Sequence, residues 1–173
     1  MNYFQFYNTP ISFEIDESAL KKTFLQNSKK YHPDFFTLES QVDQDEALRM
    51  STLNNDAYKV LRDFESRIRY ILELKGVLAE EGQNKLPQEF LMDMMDINEV
   101  IMDLQMDYDL DRKREVVKKI DSFEHDLIVS IEDDISDFKD QEDFDYSRIK
   151  DFYLKKKYLK RIKDNLDQIE PEV

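Results

Sequence analysis

The chain has 173 residues, enough for one ordinary domain or two small ones. Its 25 basic and 39 acidic side chains give a formal net charge of −14, which argues against nucleic acid or an anionic membrane surface as the main partner. The lack of cysteine excludes disulfides, thiolate zinc sites, cysteine nucleophiles and cysteine-held iron–sulfur clusters, and two glycines with four prolines leave few turns for an all-β design.

Leu, Lys, Glu, Met, Asp and Ile fill the chain and favour helix on balance, so an all-α protein is expected. A short aromatic helix over Tyr3–Tyr7 comes first. Asp16 can cap the next helix, whose apolar face is Leu20, Phe24, Ser28 and Tyr31. That helix must stop near His32, because Pro33 disfavours the α region for the residue before it. After a polar loop, Leu48, Met50, Leu53, Ala57, Leu61, Phe64, Ile68 and Leu72 recur at helical spacing, one long or slightly broken helix reaching about Leu74. Two antiparallel helices with the aromatic helix across them make a small core.

Periodicity pauses in the polar stretch Gly76–Lys85, which holds both glycines and precedes Pro87. The charge divides there too: residues 1–76 carry 10 basic and 12 acidic side chains, a net of −2, and residues 77–173 carry 15 and 27, a net of −12. We therefore expect a first domain over 1–76, a linker over 77–86 and a second domain over 87–173. The second reads as three helices. Pro87 suits a first helical turn, and Phe90, Met94, Ile97, Ile101 and Leu104 form a narrow seam. Val116, Ile120, Phe123, Leu127, Ile131 and Ile135 share the second stripe, and Ile149, Phe152, Leu159, Ile162, Leu166 and Ile169 the third. Three such seams bury one another as an antiparallel bundle. The acidic patch from Glu132 to Asp145 reads as a biased loop.

His32-Pro33-Asp34 is the most informative local feature. Pro33 ends the helix and presents His32 and Asp34 on a turn, where both side chains can face a partner. On its own the tripeptide is equally a helix stop with a capping Asp. Beside the seam of the Pro87–Leu104 helix, Leu91, Met95, Glu99 and Asp103 form a row at spacing 4, flanked by Met92, Asp96 and Met102. Such a row serves either as a docking patch, in which Met and Leu adapt and carboxylates orient, or as a wide core stripe with ordinary surface acids.

Tyr3-Phe4-Gln5-Phe6-Tyr7, Tyr31-His32-Pro33-Asp34 and Leu53-Asn54-Asn55-Asp56-Ala57-Tyr58-Lys59-Val60-Leu61 resemble a J-domain in order and spacing. The continuation Arg67-Ile68-Arg69-Tyr70-Ile71-Leu72-Glu73-Leu74-Lys75-Gly76 resembles the R-x-x-Y-L-L-x-L-x-G stretch of the HscB family of iron–sulfur assembly co-chaperones, and the likeness runs on through Phe90-Leu91-Met92-Asp93-Met94-Met95-Asp96. The resemblance implies an N-terminal J-domain, a helical hairpin carrying the His-Pro-Asp loop, followed by a C-terminal three-helix scaffold-binding domain. It implies stimulation of ATP hydrolysis by a DnaK- or HscA-type chaperone, with Asp34 accepting charge-assisted hydrogen bonds from a chaperone arginine. His32 and Pro33 would hold the turn, and Lys21, Lys22, Lys29 and Lys30 would meet an acidic chaperone surface or else form an ordinary solvated face. It further implies that the scaffold protein IscU binds Leu91, Met95, Asp96, Glu99, Asp103 and Tyr158. Phe35 stands where Lys or Arg commonly follows the tripeptide, and Asn8-Thr9 replaces the usual glycine turn. In the scaffold patch Met for Leu, Asp for Glu and Tyr for Phe also depart from the family's pattern.

Other readings carry less. Asp107, Asp109 and Asp111 begin like a calcium loop, but Arg112 falls where glycine is needed and Lys118 where a bidentate Glu belongs. His125 has no second histidine nearby. The basic run Lys155-Lys156-Lys157 reads as a solvated face. Without a phosphate loop or nucleophile signature, no enzyme activity, metal or cofactor is expected. No apolar run approaches the roughly 20 residues of a membrane span, and the start lacks a signal or transit layout, so a bacterial cytoplasmic setting is expected. The rival reading is a helical adaptor with a degenerate J-like module and no chaperone-stimulating activity.

Overall fold

A computed structural model describes residues 1–79, 82–141 and 143–170. The described residues form eight α-helices and one 3-10 turn, with no strand among them. They divide into two compact units, one of Met1–Lys75 with Ser136–Phe144, the other of Gly76–Ile135 with Asp145–Val173.

In the first unit, α1 (Tyr3–Phe6) is closed by a capping box: Asn2 accepts from the Gln5 amide, and the Gln5 side chain accepts in turn from the Asn2 amide. Asn8 follows with φ 52°, a left-handed conformation that asparagine tolerates better than most side chains. Helix α2 (Glu17–Lys30) starts on the Asp16 cap, and its C-cap is Tyr31, two residues before Pro33. The 3-10 turn Pro33–Phe36 leads to α3 (Gln41–Arg62) and α4 (Phe64–Leu74). Helix α3 begins earlier than the apolar pattern indicates, because Ser40 caps it and its first turns are polar. Leu48 faces water, and the buried positions of α3 are Ala47, Asn54, Ala57 and Leu61. The break before α4 is Asp63, which is extended (φ −91°, ψ 125°) and caps α4 through the Ser66 amide at 2.8 Å. Gly76 follows the Lys75 C-cap with φ 65°, a left-handed value that glycine adopts without strain.

The core of this unit is Phe4, Tyr7, Phe13, Leu20, Ala47, Ala57, Leu61, Ile68, Ile71 and Leu72. Each large side chain among them contributes about 1.5–3 kcal/mol by leaving water. Two buried polar groups organise it. Asn54 donates to the Phe24 carbonyl and the Ser28 hydroxyl, both at 3.1 Å, and accepts from the Tyr7 hydroxyl at 2.8 Å. Arg67 donates to the Phe13 carbonyl at 2.9 Å and to the Leu61 carbonyl, and burial pulls its guanidinium below the usual range. Ser136–Phe144 joins this unit although the sequence groups it with the C-terminal residues: Phe138 packs edge-on against Phe13 at 4.6 Å, and Asp140 pairs with Lys75.

In the second unit, α5 (Gln88–Met106) follows Pro87, whose φ of −57° suits a helix start. Helices α6 (Leu110–Val129) and α8 (Ser147–Asp167) complete the bundle. All five expected seam residues of α5 are buried, as are Val116, Ile120, Leu159, Ile162, Leu166 and Ile169 against them. Asp109 caps α6 through the Asp111 and Arg112 amides, which is where the calcium-like aspartate pattern goes. The second stripe outlasts its helix: α6 ends at Val129, Ile131 is buried beyond it, and a short helix α7 (Glu132–Ser136) forms where a loop was expected. Ala79 and Asn84 exchange two hydrogen bonds of 3.0 Å. Glu80 and Glu81 of the expected linker, and Glu142 of the acidic stretch, lie outside the described residues. Among the described residues no helix is long and apolar enough to cross a membrane.

Candidate functional site

The tripeptide sits on the turn between α2 and α3, held by local bonds. The Asp34 amide donates to His32 Nδ1 at 3.3 Å, so the imidazole caps the turn, and the Phe35 amide donates to the His32 carbonyl at 3.0 Å. The Thr37 hydroxyl donates to the Asp34 carbonyl at 3.3 Å. Pro33 supplies the first residue of the 3-10 turn, where a missing N–H costs nothing. The Asp34 carboxylate itself points into solvent, 83 % exposed and 3.7 Å from His32 Nδ1. It is thus an exposed acceptor on a fixed backbone.

Lys21, Lys22, Lys29 and Lys30 are all exposed along α2. Lys30 lies 4.9 Å over the Tyr31 ring, which holds one ammonium near the turn. Tyr7 and Asn54 fix the hairpin that carries this turn, because Asn54 ties α3 to α2 and to the end of α1. Burial, then the neighbouring Tyr58, raises the Tyr7 phenol well above its usual range, so it stays a proton donor.

The second cluster lies on α5. Leu91, Met95, Asp96, Glu99 and Asp103 are all exposed, as are Met92 and Met102. Met95 is 68 % exposed and Leu91 38 %, so neither belongs to the core that Phe90 and Met94 fill. Asp103 is engaged, accepting from Arg112 at 3.1 Å. Tyr158 of α8 is half-buried: its ring meets Phe90 edge-on at 5.7 Å, Arg161 lies 4.8 Å over it, and its hydroxyl accepts from Asn98 Nδ2 at 3.2 Å. Asn98 also donates to the Met94 carbonyl at 2.9 Å. The periodic apolar signal misses Asn98, although Leu91, Met95 and Asn98 fall at spacings of 4 and 3 on one side of α5.

A helical hairpin with a His-Pro-Asp turn, followed in the chain by a three-helix bundle, is the architecture of a J-domain co-chaperone. Residues 86–167 match the family model described as the HSCB C-terminal oligomerisation domain. The HscB homologue of Acinetobacter baylyi, a co-chaperone, is 31% identical over 175 residues, spanning 100% of this chain and 93% of that protein. The human iron–sulfur cluster co-chaperone HscB is 30% identical over 166 residues, 95% of this chain and 67% of that protein. The crystal structure of human HscB superposes with a TM-score of 0.77 at 27% identity, covering 96% of this chain and 81% of that one. HscB of Vibrio cholerae shares the fold, with a TM-score of 0.74 at 24% identity over 98% and 97% of the two chains. The chain belongs to the HscB co-chaperone family.

Proposed function

We propose that this chain stimulates the ATPase of a DnaK- or HscA-type chaperone through His32, Pro33 and Asp34. It delivers the iron–sulfur scaffold protein IscU to that chaperone and so assists iron–sulfur cluster assembly and transfer. The observation that carries the reading is the Asp34 carboxylate, exposed on a turn whose backbone is pinned by His32, Pro33 and Thr37. A carboxylate so held receives a bidentate arginine without first ordering the loop. The lysines of α2 present the opposite sign to an acidic surface and steer the encounter.

Delivery rests on the second unit. Leu91, Met95, Asp96, Glu99, Asp103 and Tyr158 would take the scaffold, with adaptable apolar contact at the centre and carboxylates at the rim. The activity is one of coupling, with both partners bound by one chain, and the functional modules are residues 1–76 and 87–173 joined by 77–86. Being a member of a co-chaperone family supports binding rather than catalysis as its work. Steady-state ATP hydrolysis by the cognate chaperone, with this protein and with IscU added, tests it. Stimulation that rises further with IscU is expected, and no stimulation would leave the adaptor reading standing.

A further inference from the structure

Among the described residues of the first unit, three of the four most exposed large apolar side chains follow the tripeptide directly: Phe35 at 71 %, Leu38 at 98 % and Val42 at 76 %. They are not on a slack loop. Phe35 belongs to the 3-10 turn, its amide bonded to the His32 carbonyl at 3.0 Å and its ring 5.7 Å from the His32 ring. The Glu39 amide donates to the Phe36 carbonyl at 3.0 Å, and Ser40 caps α3, so the chain is fixed on both sides of Leu38. A large aromatic ring on a fixed backbone loses little entropy when a partner covers it. The charges around it are ordered: Lys29 and Lys30 stand before the tripeptide, and Glu39, Asp43, Asp45 and Glu46 follow it.

We propose that Phe35 and Leu38 are an apolar anchor by which this turn docks on the ATPase chaperone, which offers an apolar depression beside the group that receives Asp34. The proposal rests on the reading of the tripeptide as the chaperone-stimulating element, with which the patch is continuous in the chain. It divides the docking surface by chemistry. The lysines of α2 supply attraction that salt screens, Asp34 supplies the coupling to hydrolysis, and Phe35 with Leu38 supplies contact that salt leaves intact.

The test titrates wild type, the double variant Phe35→Ser/Leu38→Ser, and Asp34→Asn against the ATPase of the cognate DnaK- or HscA-type chaperone at low and high salt. Both apolar side chains are exposed, and matching thermal melts by circular dichroism confirm that the double variant is folded. The double variant is expected to need about tenfold more protein for half-saturation. It should reach the same maximal stimulation and lose affinity with salt by the same factor as wild type, because the lysines that carry the salt dependence are untouched. Asp34→Asn is expected to lose the maximum itself. A double variant that saturates like wild type overturns the anchor while leaving the tripeptide reading intact. Wild-type protein without stimulation overturns that reading and the anchor with it. Self-association of wild type that the double variant lacks, with an unchanged titration, would assign the patch to a second copy of the chain instead.

Discussion

Tyr7 donates its hydroxyl proton to the Asn54 side-chain oxygen at 2.8 Å, with the Asn54 backbone oxygen 3.2 Å away, in the centre of the first unit. The same Asn54 side chain spends both amide protons on α2, at the Phe24 carbonyl and the Ser28 hydroxyl. One buried amide therefore sets the spacing of the two helices whose connection carries His32, Pro33 and Asp34.

Replacing Asn54 with Leu keeps the branched shape of the side chain and removes its three hydrogen bonds, to Tyr7, Phe24 and Ser28. The Tyr7 hydroxyl then keeps only the longer bond to the backbone carbonyl of residue 54, the Phe24 carbonyl and Ser28 hydroxyl lose the Asn54 amide as a donor, and we expect a loss of about 2–3 kcal/mol. Urea unfolding followed by circular dichroism measures it. A change within about 0.5 kcal/mol would mean the network is dispensable.

On α5, Leu91→Ala with Met95→Ala removes two exposed side chains, so the melting temperature should stay near wild type. Affinity for IscU, measured by calorimetry, is expected to fall by about tenfold or more. ATPase stimulation without scaffold should be unchanged. Unchanged scaffold affinity would place the docking patch elsewhere.

Tyr158→Phe keeps the ring against Phe90 and removes the acceptor of the Asn98 bond. A stability cost of about 0.5–1.5 kcal/mol follows, since Asn98 still donates to the Met94 carbonyl. Tyr158→Ala also loses the ring and should cost clearly more. Equal melting temperatures for the two variants would contradict the packing described.

Glu124 gives the bundle a pH dependence. Burial alone would push its carboxyl up, but hydrogen bonds from Lys163 and Lys156 outweigh it and hold the group below the usual range. A folded-state value lower than the unfolded one means stability that is present above the unfolded carboxylate range and is lost as pH falls through the folded value. Glu124→Gln should therefore destabilise the protein at pH 6, by about 1–2 kcal/mol, and the gap to wild type should close as acid protonates Glu124. Urea unfolding across that range checks it, and a gap that persists in acid would contradict the assignment.

Helix spacing in the sequence carries most of the fold. Phe90, Met94, Ile97, Ile101 and Leu104 are all buried on α5 because a seam of this spacing has one way to leave water. What escapes is polar or distant. The start of α3 is hidden because Gln41–Glu46 contains no buried residue, and Asn54 is hidden because a buried amide looks like a surface one until its partners are known. Phe13 lies outside any helix, and its contact with Phe138 joins positions too far apart for local periodicity to relate, so the place of Ser136–Phe144 in the first unit had no local sign. The exposed turn and α5 row are readable because Pro33 fixes one and the apolar row falls outside the seam of the other. Asn98 is not, since one asparagine on a helix announces no partner.

The most direct test of the account is ATP hydrolysis by the cognate DnaK- or HscA-type chaperone with IscU present, comparing wild type, Asp34→Asn and the Leu91/Met95 double alanine. The account predicts full stimulation by wild type, none by Asp34→Asn, and by the double alanine only the part that needs no scaffold. An Asp34→Asn protein that stimulates like wild type would contradict it.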